Sequence, residues 1–195
     1  LKKSVHIPIT AKIRIGIDDL DSYAFFQDFV ETLAKSGIDK IIVHARKAWL
    51  KGLNPKQNRT IPKINYAYVY QIKEEYPDLP IIINGDIKQI NEVKQHLSLV
   101  DGIMLGRLAY ENPYAINVIS NKLYPKNYLL SRTEILSRYL EMADFTNFNL
   151  AIKPLYNIYH AQPGAKTWKQ NLMQIQQTKS IEKIHDLVLQ VYEEV

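Results

Sequence analysis

Cysteine is absent from all 195 residues. Disulfides, thiolate metal sites and a cysteine nucleophile are therefore excluded. A chain without thiols fits a reducing cytoplasm. No apolar run approaches the roughly 20 residues that a membrane-spanning helix needs, and no signal peptide is legible. Zinc-protease spacing, a phosphate-binding Walker loop, a G-x-G-x-x-G turn and a readable Ser/His/Asp order are all missing. Internal repeats and low-complexity tracts are missing too. What remains is an ordinary soluble composition, 46% hydrophobic and 23% charged. It is long enough for one domain or two small ones. The net charge of +5 favours a polyanionic partner only where the cations cluster. The first residue is Leu1 rather than Met, and a core strand begins within about ten residues, which implies a processed chain or a piece of a larger one.

The periodicities alternate between strand and helix over the first two thirds. Ile13, Ile15 and Ile17 alternate with Lys12, Arg14 and Gly16, which predicts a strand over 11–17. Asp18, Asp19, Asp21 and Ser22 read as a loop and helix cap. Phe25, Phe26, Phe29, Val30 and Leu33 then recur at helical spacing, stopped by Gly37. Ile41 to Val43 is a second strand, and Tyr66 to Tyr76 a helix with Tyr66, Val69, Tyr70 and Ile72 inward. Ile81-Ile82-Ile83 is continuously apolar, which predicts a parallel strand buried on both faces. A short helix follows with Ile90, Val93 and Leu97 on one side, then a strand over 100–105 and a helix over 113–123. Four strand–helix units in succession predict a parallel sheet with right-handed crossovers. After Pro125 only helical patterns occur, over 132–145, 150–159, 165–175 and 181–195. The last has Ile181, Ile184, Leu187, Val188, Val191 and Tyr192 on one face. The expected organisation is an α/β part over 1–125 and a helical part over 126–195.

The chemistry concentrates at strand ends. Lys12, His44, Asn84-Gly85-Asp86 and Gly106-Arg107 stand at or near the C-terminal ends of four successive strands, the edge where open α/β sheets and barrels bind ligands. Each has an ordinary structural reading: a solvated lysine, a satisfied core histidine, a common turn, a surface arginine at a helix start. Their recurrence in phase, once per strand end, favours a shared ligand site. Gly turns between a strand and a helix suit a phosphate, and Arg107 adds a guanidinium. A full barrel takes about 250 residues, so four units with a helical part amount to half of one.

A second theme is basic. Arg46, Lys47, Lys51, Lys56 and Arg59 surround Trp49, and His160, Lys166, Trp168 and Lys169 gather at a later helix start. Cations interleaved with aromatic faces suit folded RNA, although charged loops and helix faces are usually solvated surface.

The segments V-H-A-R-K-A-W-L-K-G-L-N-P-K-Q-N-R, I-I-I-N-G-D-I, V-D-G-I-M-L-G-R-L-A-Y and P-G-A-K-x-W-K together resemble the flavin-dependent tRNA-dihydrouridine synthases, A subfamily, in collinear order over nearly the whole chain. The resemblance implies the second half of an eight-stranded (β/α)8 TIM barrel binding FMN, followed by a helical tRNA-binding domain. It implies an oxidoreductase that reduces uridine in the tRNA D-loop to 5,6-dihydrouridine, with FMN as cofactor and NADPH as reductant, and with neither metal nor membrane. Lys12 and His44 would contact the isoalloxazine, while Asn84, Gly85, Asp86, Gly106 and Arg107 would hold the ribityl phosphate. Lys56 with Arg59, and Lys166 with Lys169, would contact tRNA. Three departures matter. The family usually has a second glycine at Asp86, so that side chain is expected to turn away from a phosphate. Arginine usually stands at 166 and 169, and lysine cannot make a bidentate phosphate contact. The cysteine that protonates the uracil belongs to an N-terminal half missing here, so no catalytic residue is expected in this chain and it is expected to be inactive alone. A non-catalytic RNA-binding module and a phosphate-binding half-barrel of a metabolic enzyme are the alternatives.

Overall fold

A computed structural model describes residues 2, 4–125 and 128–193, without the side chains of 191–193. It divides into two compact units, 1–106 and 107–195.

The first unit is a parallel sheet with helices on one face. Its strands are β1 (Thr10–Arg14), β2 (Lys40–His44), β3 (Ile81–Asn84) and β4 (Gly102–Met104), side by side in chain order. They alternate with α1 (Tyr23–Lys35), α2 (Tyr66–Glu75) and α3 (Ile90–Leu97). Right-handed crossovers between neighbouring strands, all running one way, place every helix on the same face. Ile41, Val43, Ile81 and Ile83 point to that face and are fully buried, with Phe26, Val30, Val69, Ile72 and Val93 supplied by the helices. The opposite face carries the alternate residues. In register across it lie Lys12, Ile42, Ile82 and Gly102 in one row and Arg14, His44, Asn84 and Met104 in the next.

Ile82 is therefore only half-buried, and the expectation that β3 is buried on both faces is corrected. An unbroken run of isoleucines hides the alternation that the pleat imposes. Lys12 is exposed on the same half-open face, as the solvated-strand reading of this lysine has it. β1 also ends earlier than its pattern predicts. Beyond Ile15 the chain doubles back, with hydrogen bonds exchanged between Ile17 and Leu20 and Asp18 at φ +48°. A Cβ on Gly16 would lie 2.6 Å from the Leu20 carbonyl oxygen, so only glycine fits that return. Ser22 then caps α1 by accepting from the Phe25 N–H at 3.2 Å. Phe29 faces outward, against expectation, because it lies off the stripe shared by Phe26 and Val30.

The regular elements among the second unit's described residues are helices: α4 (Arg107–Glu111), α5 (Pro113–Leu123), α6 (Arg132–Met142), α7 (Phe148–Ala151), α8 (Ala165–Thr178) and α9 (Ile181–Glu193), with short 3-10 turns at Phe145–Asn147 and Lys153–Asn157. α4 and α5 fold with this unit rather than with the sheet. The Asn157 side chain donates to the Tyr110 carbonyl at 2.9 Å, Tyr114 donates to the Leu130 carbonyl at 3.1 Å, and the Arg132 guanidinium lies 3.8 Å over the Tyr114 ring. α6 opens with a capping box, Ser131 accepting from the Glu134 N–H and the Glu134 carboxylate accepting from the Ser131 N–H. The core gathers Leu136, Leu140, Ile152, Leu155, Leu172, Ile184 and Val188 around Trp168. The single helices expected over 132–145 and 150–159 are each broken. Pro154 follows α7 closely, and the chain continues as a 3-10 turn. Val191 and Tyr192, expected on the inward face of α9, lie outside the described side chains.

Candidate functional site

The half-open face of the first unit brings three of the expected residues together at its C-terminal edge. Lys12 Nζ donates to Asn84 Oδ1 at 3.2 Å, and Asn84 Nδ2 donates to the Met104 carbonyl at 2.8 Å. Asn84 thus links the ammonium of β1 to the end of β4. Partial burial, then the Arg14 cation, hold the Lys12 ammonium below its ordinary pKa. His44 ends β2 beside Asn84 and is buried.

Gly85 explains how His44 is buried. Its φ is +132°, and a Cβ there would lie 3.0 Å from Ile64 Cδ1 and 3.1 Å from His44 Cδ2. Neither the backbone angle nor the space admits a side chain, and the imidazole packs directly on the glycine. At Gly106 the situation is the reverse. An added Cβ would meet nothing nearer than Asn84 Nδ2 at 3.8 Å, so the space beside this exposed glycine is open. The Asn84 amide, the Lys12 ammonium and the glycine turn together suit an anionic, hydrogen-bonding group. Arg107 follows as the first residue of the second unit.

Three successive residues of the 84–86 turn are tied down from the segment after β2. The Ala45 N–H donates to the Asn84 carbonyl at 2.9 Å. The Tyr66 hydroxyl donates to the Gly85 carbonyl at 2.6 Å. Burial, then Asp86, push the Tyr66 phenol up to about 12, so it remains a donor. Arg46 Nη2 donates to Asp86 Oδ2 at 2.6 Å. Behind Tyr66 stands buried His96, its ring 4.5 Å from the Tyr66 ring and its Nδ1 2.8 Å from the Tyr70 hydroxyl.

Arg46 corrects the reading of the basic loop. Its guanidinium is buried and faces inward, donating also to the carbonyls of Thr60 and Pro62. Lys47 is likewise engaged, with Asp21 at 2.6 Å, and its Nζ covers the Trp49 ring at 4.6 Å. That leaves Lys51, Lys56 and Arg59 as the exposed cations of the loop. Lys56 precedes and Arg59 ends a 3-10 turn, Gln57–Arg59, held by Asn58 from within. Asn58 Nδ2 donates to the Trp49 carbonyl at 2.6 Å, and its Oδ1 accepts from the Trp49 N–H at 2.7 Å. Arg14, at the end of β1, donates to the carbonyls of Lys47 at 2.8 Å and Asn58 at 2.9 Å. Burial, then the Arg46 and Arg59 cations, hold its pKa down. Arg14, Arg46 and Asn58 carry the loop's geometry. Only Asn58, uncharged yet buried in a basic loop, stands apart from its neighbours in sequence.

In the second unit Lys166 and Lys169 lie one turn apart at the start of α8, Lys166 exposed and Lys169 half-buried. Trp168, expected to offer an aromatic face to a base, is instead buried at 4% exposure with its indole N–H on the Leu155 carbonyl at 2.8 Å. Two residues along a helix turn it by about 200°, so the rotation that exposes Lys166 carries residue 168 inward. Among the described residues no cluster of His, Asp or Glu could hold a metal ion, and no helix is long and apolar enough to cross a membrane.

Residues 1–193 match the family model described as Dihydrouridine synthase (Dus). The chain is 46% identical over 178 residues to a tRNA-dihydrouridine(20/20a) synthase of Synechocystis sp., covering 88% of this chain and 53% of that protein. The corresponding protein of Haemophilus ducreyi is 44% identical over 174 residues, covering 86% and 54%. That of Vibrio cholerae is 37% identical over 179 residues, covering 88% and 55%. The chain therefore spans about half the length of the curated relatives it matches. A solved chain of the Salmonella typhimurium RcsB response regulator, 15% identical and covering 96% of this chain and 99% of its own, aligns at a TM-score of 0.34, too low to bear on the fold. On the strength of the family match along its length, the chain belongs to the dihydrouridine synthase family.

Proposed function

We propose that the chain supplies the flavin-phosphate wall and the tRNA-facing basic loop of a tRNA-dihydrouridine synthase acting on D-loop uridines in the cytoplasm. The observation that carries this reading is the convergence of Lys12, His44, Asn84 and the Gly85 turn on one half-open sheet face. Four parallel strands joined by three helices, with one face covered and the other half-open, suit part of a (β/α)8 barrel. FMN, when bound, supplies the hydride chemistry, with NADPH as its reductant. Asn84, Gly85, Asp86 and Gly106, with Arg107 next in the chain, hold the phosphate. Lys12 and His44 present N–H groups to the ring system. Lys56 and Arg59 give the tRNA backbone a pair of exposed cations, and Lys166 and Lys169 form a second pair on the helical unit. No step of proton donation to the uracil is assigned, because the chain has no cysteine.

The reading is tested by filter binding of tRNA across a salt series together with an activity assay. The chain is expected to bind tRNA with a steep salt dependence. Lys56→Ala with Arg59→Ala is expected to flatten the slope by about two counterions. With FMN, NADPH and tRNA the chain alone is expected to form no dihydrouridine. Indifference to tRNA at low salt would remove the RNA half of the proposal. Dihydrouridine formed without another protein would show that the proton donor lies within this chain.

A further inference from the structure

The 84–86 turn contains a carboxylate where the proposed ligand is an anion. Asp86 sits at φ +49°, a left-handed conformation that places its backbone within the turn while its side chain leaves it. That side chain, expected to turn away from a phosphate, pairs with Arg46: its Oδ2 lies 2.6 Å from Arg46 Nη2, and Arg46 is buried, with only 7% of its side chain exposed against 36% for Asp86. A buried guanidinium is costly unless paired, and a carboxylate beside a phosphate raises the cost of placing the phosphate there. Each group resolves the other's difficulty.

The remaining bonds of Arg46 fix its direction. Nη1 donates to the Thr60 and Pro62 carbonyls on the far side of the basic loop, while Nη2 reaches the turn. Its Nε is buried with no hydrogen-bond partner. An arginine used only to staple the loop would not need to leave that loop for Asp86. We propose that Arg46 is a positioning residue for the cofactor phosphate. It neutralises Asp86 so that the 84–86 turn can accept an anion, and through the same guanidinium it ties that turn to the loop bearing Lys56 and Arg59. This inference rests on the reading of the turn as the FMN phosphate site.

FMN and riboflavin, which differ only by the phosphate, separate the two claims. Each is titrated into the 195-residue chain by quenching of flavin fluorescence, for the unaltered chain, Arg46→Met, Asp86→Asn and the double variant, with far-UV circular dichroism as the check on folding. The unaltered chain is expected to prefer FMN. Arg46→Met is expected to weaken FMN by on the order of tenfold, what one uncompensated charge beside an anion is worth near a protein surface, and to leave riboflavin within about twofold. Adding Asp86→Asn to Arg46→Met is expected to restore FMN to within about threefold, because the carboxylate needing neutralisation is gone. Asp86→Asn alone is expected to tighten FMN and not riboflavin, an outcome that does not depend on Arg46→Met folding. Equal losses for both flavins, a double variant no better than Arg46→Met, or an FMN-to-riboflavin ratio unmoved by Asp86→Asn would each overturn the role of Arg46. An unaltered chain with no preference for FMN would overturn the phosphate site itself and this inference with it.

Discussion

Asn58 closes the basic loop with one amide group. It satisfies both backbone polar groups of Trp49 and donates to the Leu53 carbonyl at 3.2 Å as well. Its side chain is the loop's substitute for secondary structure, and removing it leaves several buried backbone groups unpaired. Asn58→Ala is therefore expected to destabilise the chain by about 1–3 kcal/mol in urea unfolding and to weaken tRNA binding beyond the loss from Lys56→Ala alone. His96 gives a second test at the same scale. Burial holds its pKa below the ordinary 6.5, with Glu92 opposing in part. The unfolded chain then takes up the proton first as pH falls, so the stability contributed by neutral His96 is complete above about pH 6.5 and is lost as pH drops through the folded value. Between pH 7.5 and 5, His96→Gln is expected to lose less stability than the unaltered chain in parallel urea titrations. A slope unchanged by the substitution would contradict the burial argument. Lys12, His44 and Asn84 were legible because strand ends are legible. Arg46 and His96 were not, because a residue type gives no sign of which way its side chain turns.

At the level of elements, the sheet's two faces differ in what they tolerate. Ile83 is fully buried under the helices, whereas Ile82 lies half-buried on the half-open face, its Cδ1 occupying the space that a Cβ on Gly102 would need. Ile83→Ala is expected to cost about 2–5 kcal/mol and Ile82→Ala clearly less, measured by chemical denaturation. Equal costs would mean that both faces are packed alike. The order of strands and helices could be read from the periodicity, and the bounds of α5 agree with the sequence pattern. The phase of β3 could not, since three isoleucines in a row carry no alternation. The early end of β1 is equally hidden, because Ile17 continues the pattern after the backbone has already turned at Gly16.

For the molecule as a whole, two compact units divide the chain between Gly106 and Arg107, within the G-R pair at the end of the fourth strand segment. Composition pointed to Pro125, where strand signals stop. Packing instead assigns α4 and α5 by the bonds of Tyr110, Tyr114 and Arg132, which no local pattern announces. Each tryptophan serves the unit in which it lies. Trp168→Ala is expected to cost the helical unit about 3–5 kcal/mol, read as loss of its cooperative thermal transition. Trp49→Ala is expected to leave that transition in place.

The central claim is that one edge of the first unit holds the flavin phosphate. Amide NMR of the labelled chain during an FMN titration tests it most directly. The account requires saturable shifts at Asn84, Gly85, Asp86 and Gly106, with smaller ones near Lys12 and His44, and silence along α8 and α9. Shifts confined to the helical unit, or none that saturate, would contradict it.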